Sequence, residues 1–301
     1  MTRWRFIRRL RSSTRSSTCP TLTPPPTSAD RFPRRGNFFS TLWKKLAPAL
    51  RSVKQLVPRR FSPSAWLRLV RLPNLLTVPG DVLAGFLLAP AASPLDWGQF
   101  LLLALPAGIG LYAAGLILND LFGYAEDLRH RPERPLPAGK ISRENAAAAA
   151  MILLWVAAFA AAFFDALPVA LPLILCLVLY DIGFKRLPIA GPALMGLCRA
   201  GNLLLGAAAV GNGLTTAPAP IAGAAVLGLY VAVVTHLARN ETRPGTRFPP
   251  PVIGRLLRML IPLQALLCLA AVPHFPVNLT GLLLLPLLPL HQRLSKRFPP
   301  S

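Results

Sequence analysis

The chain has 301 residues, of which 53% are hydrophobic, with a mean hydropathy of +0.49 and a formal charge of +22. That balance excludes an ordinary soluble domain, in which charges at helical spacing break up the apolar residues. The four cysteines (Cys19, Cys176, Cys198, Cys268) form no CxxC or Cys/His cluster, which argues against a zinc site or a disulfide framework.

Residues 1–63 are rich in Arg, Ser, Thr and Pro, with Asp30 as the only acid, and cannot build a core. We expect a mostly disordered basic extension here. Two other readings stand beside it: a basic amphipathic helix over 38–57 lying on an anionic membrane and interrupted at Pro48, and an organelle transit peptide.

Residues 64–301 are expected to form one transmembrane domain. Eight apolar runs follow one another at 73–92, 98–119, 145–164, 166–180, 189–211, 217–237, 253–272 and 276–291. A helix of roughly 20 residues crosses a hydrocarbon core about 30 Å thick. Without water there, the backbone must close its hydrogen bonds internally, so the expected fold is an all-α, polytopic helical bundle of about eight spans.

The charges test this layout. Of 33 Lys and Arg, 17 lie between Arg3 and Arg71, and nearly all the rest fall after the second, fourth, sixth and eighth runs. The alternate loops carry none. The positive-inside rule then places both termini and every even-numbered loop in the cytoplasm, for a multi-pass protein of the cell membrane. Nucleic-acid binding is excluded as the reason for the basic charge, because the same residues serve orientation and lipid attraction.

Where the second run reaches the cytoplasmic face the chain reads Asn119-Asp120-Leu-Phe-Gly123-Tyr124-Ala-Glu126-Asp127. In a continuous helix, Asp120 and Asp127 share one face with Gly123 between them. Converging oxygens suit a hard cation such as Mg²⁺, commonly shared with substrate phosphates. The following run, with Arg129, Arg131 and Arg134, offers guanidinium forks for phosphate oxygens. A solvated helix end with a charged loop explains the same charges.

The string NDLFGYAEDLRHRPERPLPAGKIS resembles the first signature of the UbiA prenyltransferases. Tyr180–Arg186 (YDIGFKR) resembles that family's Tyr/Lys stretch, and Gly196–Gly206 is most similar to the UbiA-like subgroup called EboC. The resemblance implies a bundle around a central cavity, and an enzyme that ionises a polyprenyl diphosphate on Mg²⁺ and passes the prenyl group to a small polar or ring-containing acceptor. It implies Asn119, Asp120 and Asp127 as metal ligands. Lys185, Arg131 and Arg134 would neutralise the diphosphate, and Tyr180 would hydrogen-bond it.

Two departures from the family pattern stand out. Gly123 occupies the place of the middle aspartate, and the loop after the sixth run has Glu241 as its single acid, where a second aspartate-rich motif is expected. The resemblance then leaves one Mg²⁺ on Asp120, Asp127 and Glu241, with Arg239 substituting for a metal charge. The alternative is a degenerate, non-catalytic prenyl-lipid binding or export component.

Arg199 and Asp81 fall inside apolar runs, where an ionisable group needs a partner or a function. They are expected either to pair with each other or to leave Arg199 as a catalytic ligand of the diphosphate or acceptor. Asp181 beside Lys185 is expected to be a local ion pair on a helix end.

Overall fold

A computed structural model describes residues 62–90, 94–210, 217–241, 246–271 and 274–298. The expectations for residues 1–61, including the surface helix at 38–57, lie outside the described residues. Every described element is helical.

Two short helices, α1 (Pro63–Leu69) and α2 (Leu72–Leu75), meet at Arg71, whose left-handed backbone (φ 45°) turns the chain between them. Helix α3 (Val78–Leu88) has a proline in its first turn, where the missing N–H would have had no partner. Helix α4 (Leu105–Phe122) is entered through a π-helical turn at Phe100–Ala104. At the start of that segment Asp96 accepts the Gln99 N–H at 3.0 Å. Gly123 ends α4, and α5 (Tyr124–His130) begins directly after it.

Helix α6 (Arg143–Phe163) is capped by Ser142, which accepts the Asn145 N–H at 3.2 Å. Helices α7 (Leu167–Ile182), α8 (Ala190–Ala208), α9 (Pro218–Ala238), α10 (Pro250–Arg258) and α11 (Leu260–Leu269) follow. A 3₁₀ stretch, Val277–Leu284, and α12 (Leu287–Arg297) complete the described chain.

Helical segments coincide with all eight apolar runs. Four of them, Trp97–Phe122, Arg143–Phe163, Pro218–Ala238 and Pro250–Leu269, are long and apolar enough to cross a membrane. The last run is built of two helical pieces: the 3₁₀ stretch Val277–Leu284 ends before Pro286, and α12, which holds Pro289 in its first turn, continues to Arg297.

Helix α8 sits centrally, against α3, α7 and α9. A Cβ on Gly206 would collide with the Val82 carbonyl, and one on Gly85 with the Leu203 carbonyl. Helices α3 and α8 therefore cross backbone to backbone, the packing that small residues permit in membranes. Around this crossing Phe86, Leu87, Leu203 and Leu205 are fully buried. On the outer face of α6, by contrast, Trp155, Phe159 and Phe163 are 72%, 66% and 64% exposed. A stripe of large apolar groups facing outward fits lipid as the surrounding medium.

Candidate active site

The last turn of α4 carries Asn119 and Asp120, while Asp127 lies in the first turn of α5. The continuous helix expected across this motif is interrupted at Gly123. The carboxylates converge nonetheless. Arg134 Nη1 lies 2.8 Å from Asp127 Oδ2 and 3.4 Å from Asp120 Oδ1. Arg71 Nη2 donates to the same Asp120 oxygen at 3.2 Å. Asp120, Asp127 and Arg134 are all buried, which charged groups tolerate when paired.

Lys185 stands on the 3₁₀ turn Phe184–Arg186 that follows α7. Its Nζ donates to Asn119 Oδ1 at 2.8 Å and lies 3.9 Å from Asp181 Oδ1. A Cβ on Gly123 would sit 3.8 Å from both Lys185 Nζ and Asp127 Oδ2. An ammonium thus borders the place where the motif's middle carboxylate is missing. Burial pushes the Lys185 ammonium below the ordinary lysine range, opposed by the carboxylates of Asp181, Glu126 and Asp127.

Arg239 holds this turn from below. Its guanidinium donates to the carbonyls of Lys185 (2.9 Å), Arg186 (2.8 Å) and Leu187 (3.1 Å). Its guanidinium is thereby tied to the backbone of the turn that carries Lys185. The loops after α5, α7 and α9 therefore meet at one rim, where Arg186 also approaches Glu126 at 3.4 Å.

A cavity of about 230 Å³ opens beside the rim. Arg71, Asn119, Tyr180 and Asp181 line its polar side, and Leu116, Leu177, Met195 and Val231 line its apolar walls. Arg199 also reaches the wall, but its guanidinium is committed elsewhere. Nη2 donates to Asp81 Oδ1 at 3.0 Å, and Nε lies 2.9 Å from Asp81 Oδ2. Thr77 O accepts from Arg199 Nη2 at 3.0 Å, and the Gln264 amide donates to Asp81 at 2.6 Å. The structure thus forms the ion pair and makes Arg199 a brace between α3 and α8.

Arg131 is exposed at the end of α5 and, like Asp120, Asp127, Arg134 and Lys185, is not among the residues lining the cavity, which the site reaches through Arg71 and Asn119. Glu241 lies beyond the end of α9 and also stays off the cavity wall. Among the described residues no group of three or more His, Cys, Asp or Glu is placed to hold a metal ion, so Glu241 does not complete the expected ligand set.

Among the described residues, the carboxylates that converge here are Asp120 and Asp127. Both meet the Arg134 guanidinium, and Asp120 also meets Arg71. A hard cation at such a pair takes its remaining ligands from phosphate and water. Asn119 Oδ1, an expected ligand, is engaged by Lys185 instead.

Arg71 and His291 line the cavity although sequence assigns neither to the site: Arg71 belongs to the basic extension and His291 ends the last apolar run. Asp181 forms the expected pair with Lys185, at 3.9 Å, and lines the cavity as well.

Known proteins are similar to this chain over part of its length. A digeranylgeranylglyceryl phosphate synthase of Methanoregula boonei is 35% identical over 123 residues, covering 40% of this chain and 43% of the relative. The synthase of the same name from Natronomonas pharaonis is 30% identical over 184 residues, covering 58% and 66%. The chain thus spans less than two thirds of either relative's length. These relatives carry a different name from the EboC-like subgroup to which Gly196–Gly206 is similar, and the subgroup expectation is corrected accordingly.

Among solved structures, a UbiA homolog from Archaeoglobus fulgidus bound to DMAPP and Mg²⁺ superimposes with a TM-score of 0.51 at 19% identity, covering 77% of this chain and 87% of that one. The same homolog bound to GPP and Mg²⁺ gives 0.50 at 18%, with the same coverage. At that identity the likeness establishes the helical fold. Residues 81–294 match the UbiA prenyltransferase family, and the chain belongs to that family.

Proposed function

We propose that the chain is a membrane-embedded prenyltransferase that moves a polyprenyl group from its diphosphate to a small polar acceptor. The observation that carries this reading is the convergence of Asp120 and Asp127 on one cationic position at the rim of an apolar cavity. The relatives' names direct the acceptor toward a glyceryl phosphate that already carries one geranylgeranyl group, with its free hydroxyl as nucleophile.

Each side chain then has a defined task. Arg71 and Lys185 present a guanidinium and an ammonium to the diphosphate oxygens, stabilising charge as it develops on the leaving group. A divalent cation on Asp120 and Asp127 supplies further positive charge there when bound. Tyr180 hydrogen-bonds the same group. Leu116, Leu177 and Val231 keep water from the allylic cation. The cavity is smaller than the roughly 300–1,000 Å³ of sites that enclose a drug-sized ligand, so a long prenyl tail extends from it into lipid.

The same reading takes the eight helical segments as eight spans with both termini cytoplasmic. Support comes from the rim itself, where the loops after α5, α7 and α9 bring Arg134, Lys185 and Arg239 together. On this reading the site lies at the cytoplasmic interface of the cell membrane.

Turnover of geranylgeranyl diphosphate by the purified protein, set against Asp120→Asn and Asp127→Asn, tests the assignment. A loss of about 100-fold or more in each variant is expected; equal turnover in all three removes it. A second reading, a non-catalytic prenyl-lipid binder, is favoured by Gly123 and by the absence of a third carboxylate among the described residues. Lipid binding that persists in EDTA, with no diphosphate released, would select it.

A further inference from the structure

The cavity holds a carboxylate that the diphosphate site does not use. The Asp181 side chain is 1% exposed, lines the cavity, and has no hydrogen-bond partner on Oδ1. Lys185 does not fill that role. Its Nζ stays 3.9 Å away and donates instead to Asn119 at 2.8 Å. Buried polar atoms are almost always satisfied, and an unsatisfied one is costly. The donor missing from Asp181 is therefore one that a ligand brings.

A shared metal ion does not meet this need. The Lys185 ammonium neighbours both Asp181 and the Gly123 side of the rim, 3.8 Å from a Cβ built there. A divalent cation joining Asp181 to Asp127 would meet that ammonium at close range. An O–H donor meets no such repulsion. The position also suits the reaction, because Asp181 lies next to the lysine that faces the leaving group.

We propose that Asp181 holds the acceptor of this transferase, accepting a hydrogen bond from its hydroxyl and taking the proton as the new bond forms. The inference rests on the prenyltransferase reading and adds the acceptor subsite to it. The acceptor oxygen forms a bond to C1 of the prenyl group, and the C1–O bond to diphosphate breaks with its electron pair leaving on diphosphate. The hydroxyl proton passes to Asp181 Oδ1. Among the described residues, Arg199 Nε and His291 Nε2 on the cavity wall also lack a hydrogen-bond partner, but Arg199 is ion-paired with Asp81 at 2.9 Å and the His291 ring is hydrogen-bonded to Ser295 at 3.3 Å on α12.

The test uses the full chain in detergent with two probes, geranyl thiolodiphosphate for binding and geranylgeranylglyceryl phosphate as acceptor. Asp181→Asn is expected to bind the thiolodiphosphate within about threefold of wild type. Its transfer from geranylgeranyl diphosphate should fall about 100-fold, with a raised KM for the acceptor and partial recovery in Asp181→Glu. Undiminished transfer in Asp181→Asn overturns the proposal, as does a loss confined to His291→Gln. A parallel loss of thiolodiphosphate binding would assign Asp181 to the Lys185 clamp and also overturn it. So would a wild-type chain that binds the thiolodiphosphate and leaves the glyceryl phosphate unmodified. A wild-type chain that fails to bind the thiolodiphosphate removes the transferase reading itself.

Discussion

Arg134 Nη1 and Asp127 Oδ2 lie 2.8 Å apart, with both side chains almost completely enclosed. The same guanidinium reaches Asp120, so its charge occupies the position where two carboxylates converge. Removing it leaves both aspartates buried beside each other. Arg134→Ala should therefore lose about 3–5 kcal/mol of stability. Because a divalent ion can restore the missing charge, Mn²⁺ should raise the melting temperature of this variant more than that of wild type. Thermal unfolding in detergent with and without Mn²⁺ checks this. An equal response to Mn²⁺ would mean that the guanidinium does not mark the cation position.

The Arg199–Asp81 pair makes a contrasting prediction. It is sealed between α3 and α8, with Thr77 and Gln264 completing the network. Arg199→Ala leaves Asp81 uncompensated and should cost about 3–5 kcal/mol. The double variant Asp81→Asn, Arg199→Gln should recover much of that loss and bind geranyl thiolodiphosphate within about threefold of wild type. A folded double variant that no longer binds it would return Arg199 to the diphosphate site.

Where α3 and α8 cross, backbone meets backbone, and neither partner is a flexible side chain. Gly206→Ala places a methyl against the Val82 carbonyl and should destabilise the protein by about 1–3 kcal/mol. Gly254→Ala is the matched control. Its Cβ would meet nothing within 4 Å, and it lies inside α10. There alanine should be neutral or stabilising by up to about 1 kcal/mol. Comparable melting temperatures for the two variants would contradict the close crossing.

Lys185 supplies a pH dependence. Burial lowers the point at which its ammonium loses the proton, so the charged form that faces diphosphate is present at low pH and lost as pH rises. The alkaline limb of kcat/KM for prenyl diphosphate should fall below the ordinary lysine value of about 10.4. Lys185→Arg should push that limb upward, since a guanidinium does not titrate in this range. A pH–rate profile of the two proteins decides the point, and coincident limbs would assign the titration to another group.

The bundle was legible because apolar runs at membrane length leave the backbone few choices. The expected 217–237 and the observed Pro218–Ala238 nearly coincide. The change from 3₁₀ to α-helix within the last run is set at Pro286 and is not visible in composition. The acidic motif was legible as a pair of converging carboxylates, although the reasoning assumed a helix that Gly123 interrupts. What sequence withheld was partnership across distance. Arg71 meets Asp120 from 49 residues away, and Lys185 meets Asn119 from 66. The Arg199–Asp81 pair is one of two outcomes that sequence allows, because an ionisable group at membrane depth needs a partner or a function.

The most direct measurement counts metal ions by electron paramagnetic resonance, titrating Mn²⁺ into the purified chain with geranyl thiolodiphosphate present. One bound Mn²⁺ per chain is expected, lost in the Asp120→Asn, Asp127→Asn double variant together with the thiolodiphosphate. Two ions per chain, or thiolodiphosphate binding unchanged in that variant, would contradict a site built on these two carboxylates.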